Sequence, residues 1–261
     1  MAEQISPFRM DGKKVLITGA GGGIGQALAK VFAQAGAIVS GADRDAALMD
    51  GMDLAHRLVF ELTDADAVTK IISTHIAQNG PFDSLISNAG YTRGEVFEQV
   101  DNSVWASEME INLNGAYYVT APIVAAMEAQ GGGSVVFISS VNGLSHFGNP
   151  AYSAAKAGLI AFARALAVER GHRGIRANVV CPGSVRTPAW DHRIEANPAL
   201  LDKVLPHYPL GRMVTPEEVA RAALFLASPA ASGITGASIP VDAGLTSGNL
   251  RFVNEVLKGG E

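Results

Sequence analysis

The chain has 261 residues, a formal net charge of −5 and one cysteine. The acidic balance argues against nucleic acid or an anionic membrane as the main partner, and a lone cysteine excludes an internal disulfide and fits a reducing compartment. No secretory signal or membrane span is recognised, so we expect a cytoplasmic protein. The six histidines are scattered without zinc-ligand spacing, so no metal site is predicted.

Short β-branched runs alternate with helical patterns along almost the whole chain. The strand-like runs cover residues 14–20, 37–43, 57–62, 83–90, 133–140, 175–183 and 237–244, and the helical ones 25–36, 64–79, 101–130, 152–170 and 216–228. Nearly continuous apolar strands between helices predict a parallel sheet covered on both faces. We therefore expect one α/β domain over residues 1–261, a doubly wound sheet that binds its ligands beyond the carboxyl ends of the strands.

The first strand runs into a glycine-rich loop, TGAGGGIG at residues 18–25. Its glycines allow a tight turn and a close approach to a diphosphate, which the following helix N-terminus favours. Asp43 ends the second strand, where a carboxylate accepts a hydrogen bond from a ribose 2′-hydroxyl and repels a 2′-phosphate. Arg44 could clamp that phosphate instead, but its long side chain can swing into water. We therefore predict that the cofactor is NAD rather than NADP. The alternative interpretation of the glycine-rich loop itself is a turn that only packs a helix on a strand and binds no cofactor.

Tyr152 and Lys156 are four residues apart at the start of a long apolar helix, and so share one face of it. A fixed cation beside a phenol lowers the phenol's pKa. The pair therefore fits a tuned proton donor. The alternative from these two residues alone is a pair of partly exposed side chains at a helix edge.

In strand order, these motifs resemble the short-chain dehydrogenase/reductase family over about residues 12–244. TGAGGGIG is similar to the family's TGxxxGxG, SNAG at 87–90 to NNAG, and YSAAK at 152–156 to YxxxK, while INLNG at 111–115, ISS at 138–140 and PGSVRT at 182–187 stand where the family has its remaining motifs. The resemblance implies a single Rossmann domain with strand order 3-2-1-4-5-6-7, often tetrameric. It also implies a nicotinamide-dependent oxidoreductase that interconverts a secondary alcohol and a ketone.

The resemblance also implies a role for each matching residue. Tyr152 would be the general acid in reduction and the base in oxidation, while Lys156 would bind the nicotinamide ribose and stabilise the phenolate. Asn112 would line a water path to Lys156, and a serine after the fifth strand would hold the substrate oxygen. The cofactor-binding residues would be Gly19, Gly22, Gly23, Ile24, Gly25, Asp43, Arg44, Glu61, Leu62, Asn88, Ala89, Gly90, Tyr152, Lys156, Pro182, Gly183, Val185 and Thr187.

Three positions depart from the family pattern. Counting back from the tyrosine selects Ser139 as the catalytic serine, whereas counting from the strand end selects Ser140. Because alternate residues of a strand face opposite ways, only one can face the site, and a loop deletion is easier than a strand slip; we predict Ser140. Glu61-Leu62 replaces the usual Asp-Val at the adenine edge, and Ser87 replaces the first asparagine of NNAG.

The substrate side is predicted less sharply. Residues 188–215 would form a lid, and the substrate candidates are Arg93, Asn142, His146, Trp190 and Tyr208, although Trp190 and Tyr208 could equally anchor the lid. Apolar residues spread beyond one stripe on helices 101–130 and 152–170, so both helices should be buried. The family resemblance implies that they form the subunit interface of a homotetramer, and the tail 245–261 is amphipathic enough to dock. Two other functions stay open: an NADPH-dependent 3-oxoacyl-carrier-protein reductase, and a non-catalytic regulator that senses NAD.

Overall fold

The seven predicted strands form one parallel sheet in a computed structural model that describes residues 7–92 and 96–259. The strands are β1 Lys14–Thr18, β2 Ile38–Asp43, β3 His56–Val59, β4 Ser84–Ser87, β5 Gly133–Ile138, β6 Ile175–Pro182 and β7 Ser238–Val241. Their order is β3-β2-β1-β4-β5-β6-β7. The predicted fold class and strand order are therefore confirmed, with the order reversing between β1 and β4.

The described part of the chain contains eight α-helices, most of which cover the two faces of this sheet. They are α1 Gly23–Gln34, α2 Ala65–Asn79, α3 Asn102–Met109, α4 Gly115–Ala129, α5 Pro150–Arg170, α6 Pro188–Ala196, α7 Leu200–Val204 and α8 Pro216–Ala227. Short 3₁₀ turns follow several strands, and π-helical turns span Glu110–Asn114 and Phe252–Leu257. The predicted helix 101–130 is therefore two α-helices joined by a π turn, and the predicted lid contains α6 and α7.

Alternation along the strands divides the core into two layers. In β5, Val135 and Phe137 point into the layer under α2, α4 and α5, whereas Val136 and Ile138 point into the layer under α1 and α8. All four side chains are buried. Because both faces are covered, every strand-end loop at the carboxyl edge emerges between two helical layers, and the site lies at that edge.

The caps of two helices follow from local sequence. Thr215 Oγ1 accepts a hydrogen bond from the Glu218 amide at 3.3 Å, and Glu218 Oε2 accepts one from the Thr215 amide at 2.9 Å, which is the predicted capping box of α8. Helix α5 begins with Pro150 after Asn149, whose φ of 56° is left-handed. This sharp turn delivers the chain from the β5 loop to the first turn of α5, which carries Tyr152.

One described helical stretch, Pro150–Arg173, is long and apolar enough to cross a membrane by length and composition alone. The core helices of folded domains meet the same criterion. Here its face bearing Ala155, Leu159 and Ala163 is buried in the layer beneath β5 and β6, and one third of the apolar stretch is buried in all.

Candidate active site

Hydrogen bonds tie the ends of β1 and β4 together at the point where the strand order reverses. The Thr18 hydroxyl accepts from the amides of Asn88 and Ala89, both at 3.0 Å. Asn88 Nδ2 donates to the carbonyls of Thr18 at 3.0 Å and Gly19 at 3.1 Å. The SNAG segment is thus fixed against the glycine loop. The sequence analysis did not assign Thr18 this role, although a hydroxyl at a strand end beside a glycine loop is a usable signal.

The glycine loop is shaped so that side chains do not fit. A Cβ at Gly25 would lie 2.0 Å from the Gly19 carbonyl oxygen, and one at Gly21 would lie 2.5 Å from the Leu48 carbonyl oxygen. Gly19 itself has a φ of 63°, which favours glycine. Gly22 caps α1 without a side-chain hydrogen bond. The loop therefore presents backbone and the start of a twelve-residue helix, a cradle that fits a dinucleotide diphosphate.

Asp43 is held rigidly at the end of β2. Its Oδ2 accepts from the Gly21 amide at 3.0 Å and its Oδ1 from the Arg44 amide at 2.8 Å. Its carboxylate is partly buried, whereas Arg44 is exposed. The fixed charge next to the glycine loop is therefore negative.

The remaining predicted cofactor residues lie around the same edge but differ in character. Glu61 is exposed and bonds the Leu62 amide at 3.1 Å, while Leu62 is buried and packs on Gly115. Leu62 can thus offer only its backbone to a ligand. Thr187 caps α6 and would contact a Cβ at Gly23 at 3.0 Å, so the lid begins against the glycine loop. Pro182 ends β6, Gly183 packs on Asp242, and Val185 is buried and bridges to Val214.

Ser140, not Ser139, is next to Tyr152. A hydrogen bond with Ser140 acts to lower the pKa of the Tyr152 phenol, and the Ser140 hydroxyl also accepts from the Asn142 amide at 3.1 Å. Ser139 points the other way and donates to the carbonyl of Lys156 at 2.8 Å. The two serines follow β5 in extended continuation, so they face opposite sides.

Lys156 lies beneath Tyr152 in a buried position. Its Nζ is 5.4 Å from the centre of the Tyr152 ring and donates to the Ile138 carbonyl at 3.0 Å. Only 3% of Lys156 is exposed. The two side chains therefore share one face of α5 as the spacing predicts, and both belong to the cleft beyond β4 and β5.

Burial decides the proton affinities of this pair. It raises the pKa of Tyr152 to about 12, an effect that outweighs the hydrogen bond with Ser140, and Glu108 raises it further. It also lowers the pKa of Lys156 to about 8. The prediction that the Tyr152 pKa lies below its ordinary value is wrong for this structure, because desolvation of the phenolate exceeds the stabilisation from its neighbours. At neutral pH the phenol is a proton donor.

Asn112 occupies the π-helical turn between α3 and α4 and is buried. Its Nδ2 donates to the carbonyl of Glu108 at 3.0 Å, to Glu108 Oε2 at 2.9 Å and to the Tyr91 carbonyl at 2.7 Å. Its Oδ1 accepts from the Tyr91 amide at 3.1 Å. A Cβ at Gly90 would lie 2.8 Å from this oxygen and 3.1 Å from Lys156 Nζ. The Asn112 side chain is thus held in place by these hydrogen bonds, close to Lys156.

The substrate candidates are spread over different surroundings. Asn142 Nδ2 bonds the Gly148 carbonyl at 2.8 Å and Ser153 Oγ at 3.1 Å, which braces its loop. His146 is exposed, and Trp190 is partly exposed beneath the Arg193 guanidinium, 4.5 Å from the ring centre. Arg93 lies outside the described residues.

Tyr208 is a correction among these candidates. It is 4% exposed, and its hydroxyl accepts from the Ser184 amide at 3.0 Å. A buried phenol with its oxygen already engaged anchors the end of the lid on the loop after β6. The alternative role stated for Tyr208, an anchor, is the one the contacts support.

A cavity of about 700 Å³ between β3 and α2 contains none of the predicted site residues. Its lining is His56, Arg57, Leu58, Val59, Ala67, Lys70, Ile71, Thr74, His75, Gln78 and Asn79. Among the described residues, no group of three or more His, Cys, Asp or Glu is placed to hold a metal ion. The glycine cradle, Asp43 and the Tyr152 cluster instead form one continuous polar edge.

Comparison with known proteins shows which family the chain resembles. The family model described as enoyl-(acyl carrier protein) reductase matches residues 19–246. The chain is 43% identical over 251 residues to an uncharacterized oxidoreductase of Schizosaccharomyces pombe, covering 95% of this chain and 96% of that protein. It is 37% identical over 249 residues to a galactitol 2-dehydrogenase (L-tagatose-forming) of Cereibacter sphaeroides, covering 92% and 97%. It is also 37% identical over 249 residues to the 3-oxoacyl-[acyl-carrier-protein] reductase of Thermotoga maritima, covering 91% and 99%.

Solved structures agree with these relatives. An oxidoreductase of the short chain dehydrogenase/reductase family from Burkholderia thailandensis superposes with a TM-score of 0.87 at 42% identity, covering 95% of this chain and 98% of that one. A gluconate 5-dehydrogenase from Burkholderia cenocepacia, in complex with NADP and tartrate, has a TM-score of 0.87 at 30% identity, covering 94% and 100%. Sequence and fold therefore agree over nearly the whole chain.

Proposed function

Because the chain belongs to the short-chain dehydrogenase/reductase family, we propose that this oxidoreductase interconverts a secondary alcohol and a ketone through Tyr152, Ser140 and Lys156. The observation that carries the assignment is the cluster itself. Ser140 hydrogen-bonds the Tyr152 phenol, and the buried Lys156 ammonium lies beneath the ring and next to Gly90 of the SNAG segment. A non-catalytic regulator has no need for this buried polar set, which is costly unless each member is satisfied.

The residues divide the reaction between them. The bound nicotinamide supplies or accepts the hydride at the reacting carbon. In the reductive direction Tyr152 donates its phenolic proton to the carbonyl oxygen, and Ser140 donates a hydrogen bond that stabilises charge on that oxygen. Lys156, charged below a pKa of about 8, stabilises the phenolate left on Tyr152. In the oxidative direction the phenolate accepts the proton of the alcohol.

The cofactor is proposed to be NAD. Asp43 supports this choice because its carboxylate is fixed by two backbone amides at the end of β2, while Arg44 is exposed. A 2′-phosphate next to that carboxylate would be repelled. NADP is the competing choice, and the gluconate 5-dehydrogenase relative was solved with NADP. The ratio of kcat/KM for the two cofactors decides between them: a ratio above about tenfold in favour of NAD is expected, and comparable values contradict the proposal.

The substrate is proposed to be a small polyhydroxylated alcohol or the matching ketone. Relatives named galactitol 2-dehydrogenase and 2-keto-3-deoxy-L-fuconate dehydrogenase support this class. The competing substrate is a 3-oxoacyl thioester, supported by the Thermotoga maritima relative. A carrier protein is itself acidic, and the net charge of −5 on this chain does not favour docking it.

The test follows NADH absorbance with a panel of sugar alcohols, their ketones and a 3-oxoacyl thioester. Wild-type turnover of a polyol is expected, and Tyr152→Phe should lower kcat by about a thousandfold or more while NADH still binds. Wild-type turnover in the phenylalanine variant contradicts the mechanism. Turnover of the thioester alone, with NADPH, would favour the reductase instead.

A cytoplasmic homotetramer is the proposed form of the enzyme. Exposed apolar side chains on α3, α4 and α5 support it, with Trp105 45%, Tyr117 54% and Val168 82% exposed. The Tyr117 and Phe162 rings, 5.9 Å apart, join α4 and α5 into one aromatic surface. Light scattering coupled to gel filtration should give four times the 27.1 kDa chain mass; the mass of one chain contradicts the assembly.

A further inference from the structure

A buried carboxylate next to the proposed catalytic cluster has no role in the reaction described above. Glu108 is on α3, one helical turn before Asn112, and only 5% of it is exposed. Burying a charged group costs free energy unless it is hydrogen-bonded and balanced by other charges. Glu108 accepts from Asn112 Nδ2 at 2.9 Å. The buried Glu108 carboxylate, whose burial costs free energy, is therefore in direct contact with Asn112 of the candidate site.

The contact fixes which way the Asn112 amide points. An ionised carboxylate only accepts hydrogen bonds, so the nitrogen of the Asn112 amide must face Glu108. The Asn112 oxygen then faces the opposite way, toward the Tyr91 amide and the space at Gly90 that it shares with Lys156 Nζ. The Glu108 backbone carbonyl, also bonded to Asn112 Nδ2, and the Tyr91 carbonyl support the same orientation.

We propose that Glu108 is a positioning residue of this active site, which locks the Asn112 oxygen toward Lys156 and places a fixed negative charge beneath the Tyr152–Lys156 pair. The inference rests on the proposed function, since it assigns a role to a residue behind that cluster. Glu108 acts through Asn112 and through its charge, and does not contact the reacting atoms.

The effect of Glu108 on neighbouring pKa values also supports a role for its charge. Glu108 raises the pKa of both Lys156 and Tyr152. The other ionisable groups described at this corner are Cys181, whose thiol pKa burial raises to about 11, and Asp242, which acts on that thiol. Because burial drives the Lys156 pKa down to about 8, a nearby anion keeps more of the lysine charged near neutral pH. Removing the anion should lower the pH at which Lys156 loses its proton.

The first experiment titrates Lys156 in the protein without nucleotide. Lysine 13Cε NMR, with Lys156→Met to assign the signal, gives the titration midpoint in wild type, in Glu108→Gln and in Glu110→Gln. Glu110 is the matched control because it lies on the same turn and bonds Asn114 and Tyr118 instead. We expect the midpoint to fall by about one pH unit in Glu108→Gln and to stay in Glu110→Gln. An unchanged midpoint in Glu108→Gln overturns the proposal. This measurement stays informative even if no alcohol is turned over.

The second experiment uses the reductive pH profile. In Glu108→Gln the alkaline limb should move to lower pH by the same amount, and kcat should fall about tenfold with KM nearly unchanged, because the neutral glutamine removes the negative charge that favours charged Lys156 and replaces a charge-assisted hydrogen bond to Asn112 with a neutral one. A lower melting temperature with an unshifted profile would show a purely structural residue.

If Glu108→Gln does not fold, the variant Glu108→Asp tests the positioning role instead. The aspartate keeps the charge but draws the carboxylate away from Asn112 by one methylene. We expect a wild-type Lys156 midpoint with a several-fold lower kcat. A wild-type kcat in Glu108→Asp contradicts the positioning role. Loss of activity in Tyr152→Phe, by contrast, tests the proposed function and not this inference.

Discussion

The nucleotide side and the substrate side of the cleft differ in how tightly they are packed. On the nucleotide side, the glycine loop packs closely on backbone: a Cβ at Gly25 would lie 2.0 Å from the Gly19 carbonyl oxygen, and one at Gly19 would lie 2.9 Å from the Ala89 Cα in the loop after β4. On the substrate side, α6 and α7 bury none of their own residues. Close contacts between backbones leave no room for side chains, so they restrict these positions to glycine and produce a recognisable motif. The lid helices are open, so their positions tolerate many residue types and produce no motif. The predictions below test this difference, from the largest expected effect to the smallest.

Gly25→Ala should have the largest effect, because the added methyl meets a backbone oxygen that cannot move without opening the loop. We expect a loss of at least about 3 kcal/mol in the free energy of unfolding, with no NADH binding. Urea denaturation and NADH fluorescence measure the two quantities. Gly171→Ala is the control: its φ is −58° and a Cβ there meets nothing within 4 Å, so stability should hold or rise. Equal stability of both variants would contradict the tight cradle.

Ser140→Ala and Ser139→Ala separate chemistry from packing at adjacent residues. Ser140→Ala should lower kcat/KM about a hundredfold or more, because it removes the hydrogen bond that we propose Ser140 donates to the substrate oxygen. Ser139→Ala removes the bond to the Lys156 carbonyl and the hydrogen bond with the buried Cys181 thiol, both on the side away from Tyr152, so activity should be kept while the free energy of unfolding falls by about 1 kcal/mol. Steady-state kinetics and urea denaturation on both variants give the comparison. The reverse order of activities would mean that the strand register is misread.

Trp190→Ala and Tyr208→Phe divide the lid into a substrate face and an anchor. Tyr208→Phe leaves the Ser184 amide without its partner and should cost about 1–2 kcal/mol of unfolding free energy. Trp190→Ala should instead raise the substrate KM about tenfold with the NADH Kd unchanged, because the ring is partly exposed on α6. A stability loss in Trp190→Ala with an unchanged KM would make Trp190 an anchor as well.

The pH dependence at the end of the lid should be the smallest effect. The Arg212 guanidinium and the Thr215 amide hold the pKa of Glu218 at about 2, below its ordinary value of 4.5. The stabilisation from this carboxylate is therefore complete above about pH 4.5 and is lost as the pH falls toward 2. Because both side chains are partly exposed to water, we expect this stabilisation to be less than about 1 kcal/mol. Unfolding at pH 7 and pH 3 should differ less in Glu218→Gln than in wild type, with Glu217→Gln as the control; an identical pH dependence contradicts the assignment.

Much of the fold could be predicted because each signal is local. The strand runs predicted a parallel sheet and the capping box predicted the start of α8, while the strand order was implied by the family resemblance and is confirmed by the structure. The placement of Ser140 beside Tyr152 follows from alternation after β5, which the sequence also carries. The π turn at Asn112 could not be predicted, because it depends on side-chain bonds to Glu108 and Tyr91 that bring separate segments together.

What the sequence determined by itself is the alternation of strands and helices, the glycine cradle and the face shared by Tyr152 and Lys156, since periodicity and spacing act within a few residues. The strand order was implied by the family resemblance, and the structure confirms it. Only the tertiary structure decided the proton affinities of that pair. Their pKa values depend on how much water the packed layers remove and on where the Glu108 charge lies, and both are properties of segments far apart in the chain. It also decided that Tyr208 anchors the lid, because the partner amide of Ser184 belongs to the loop after β6.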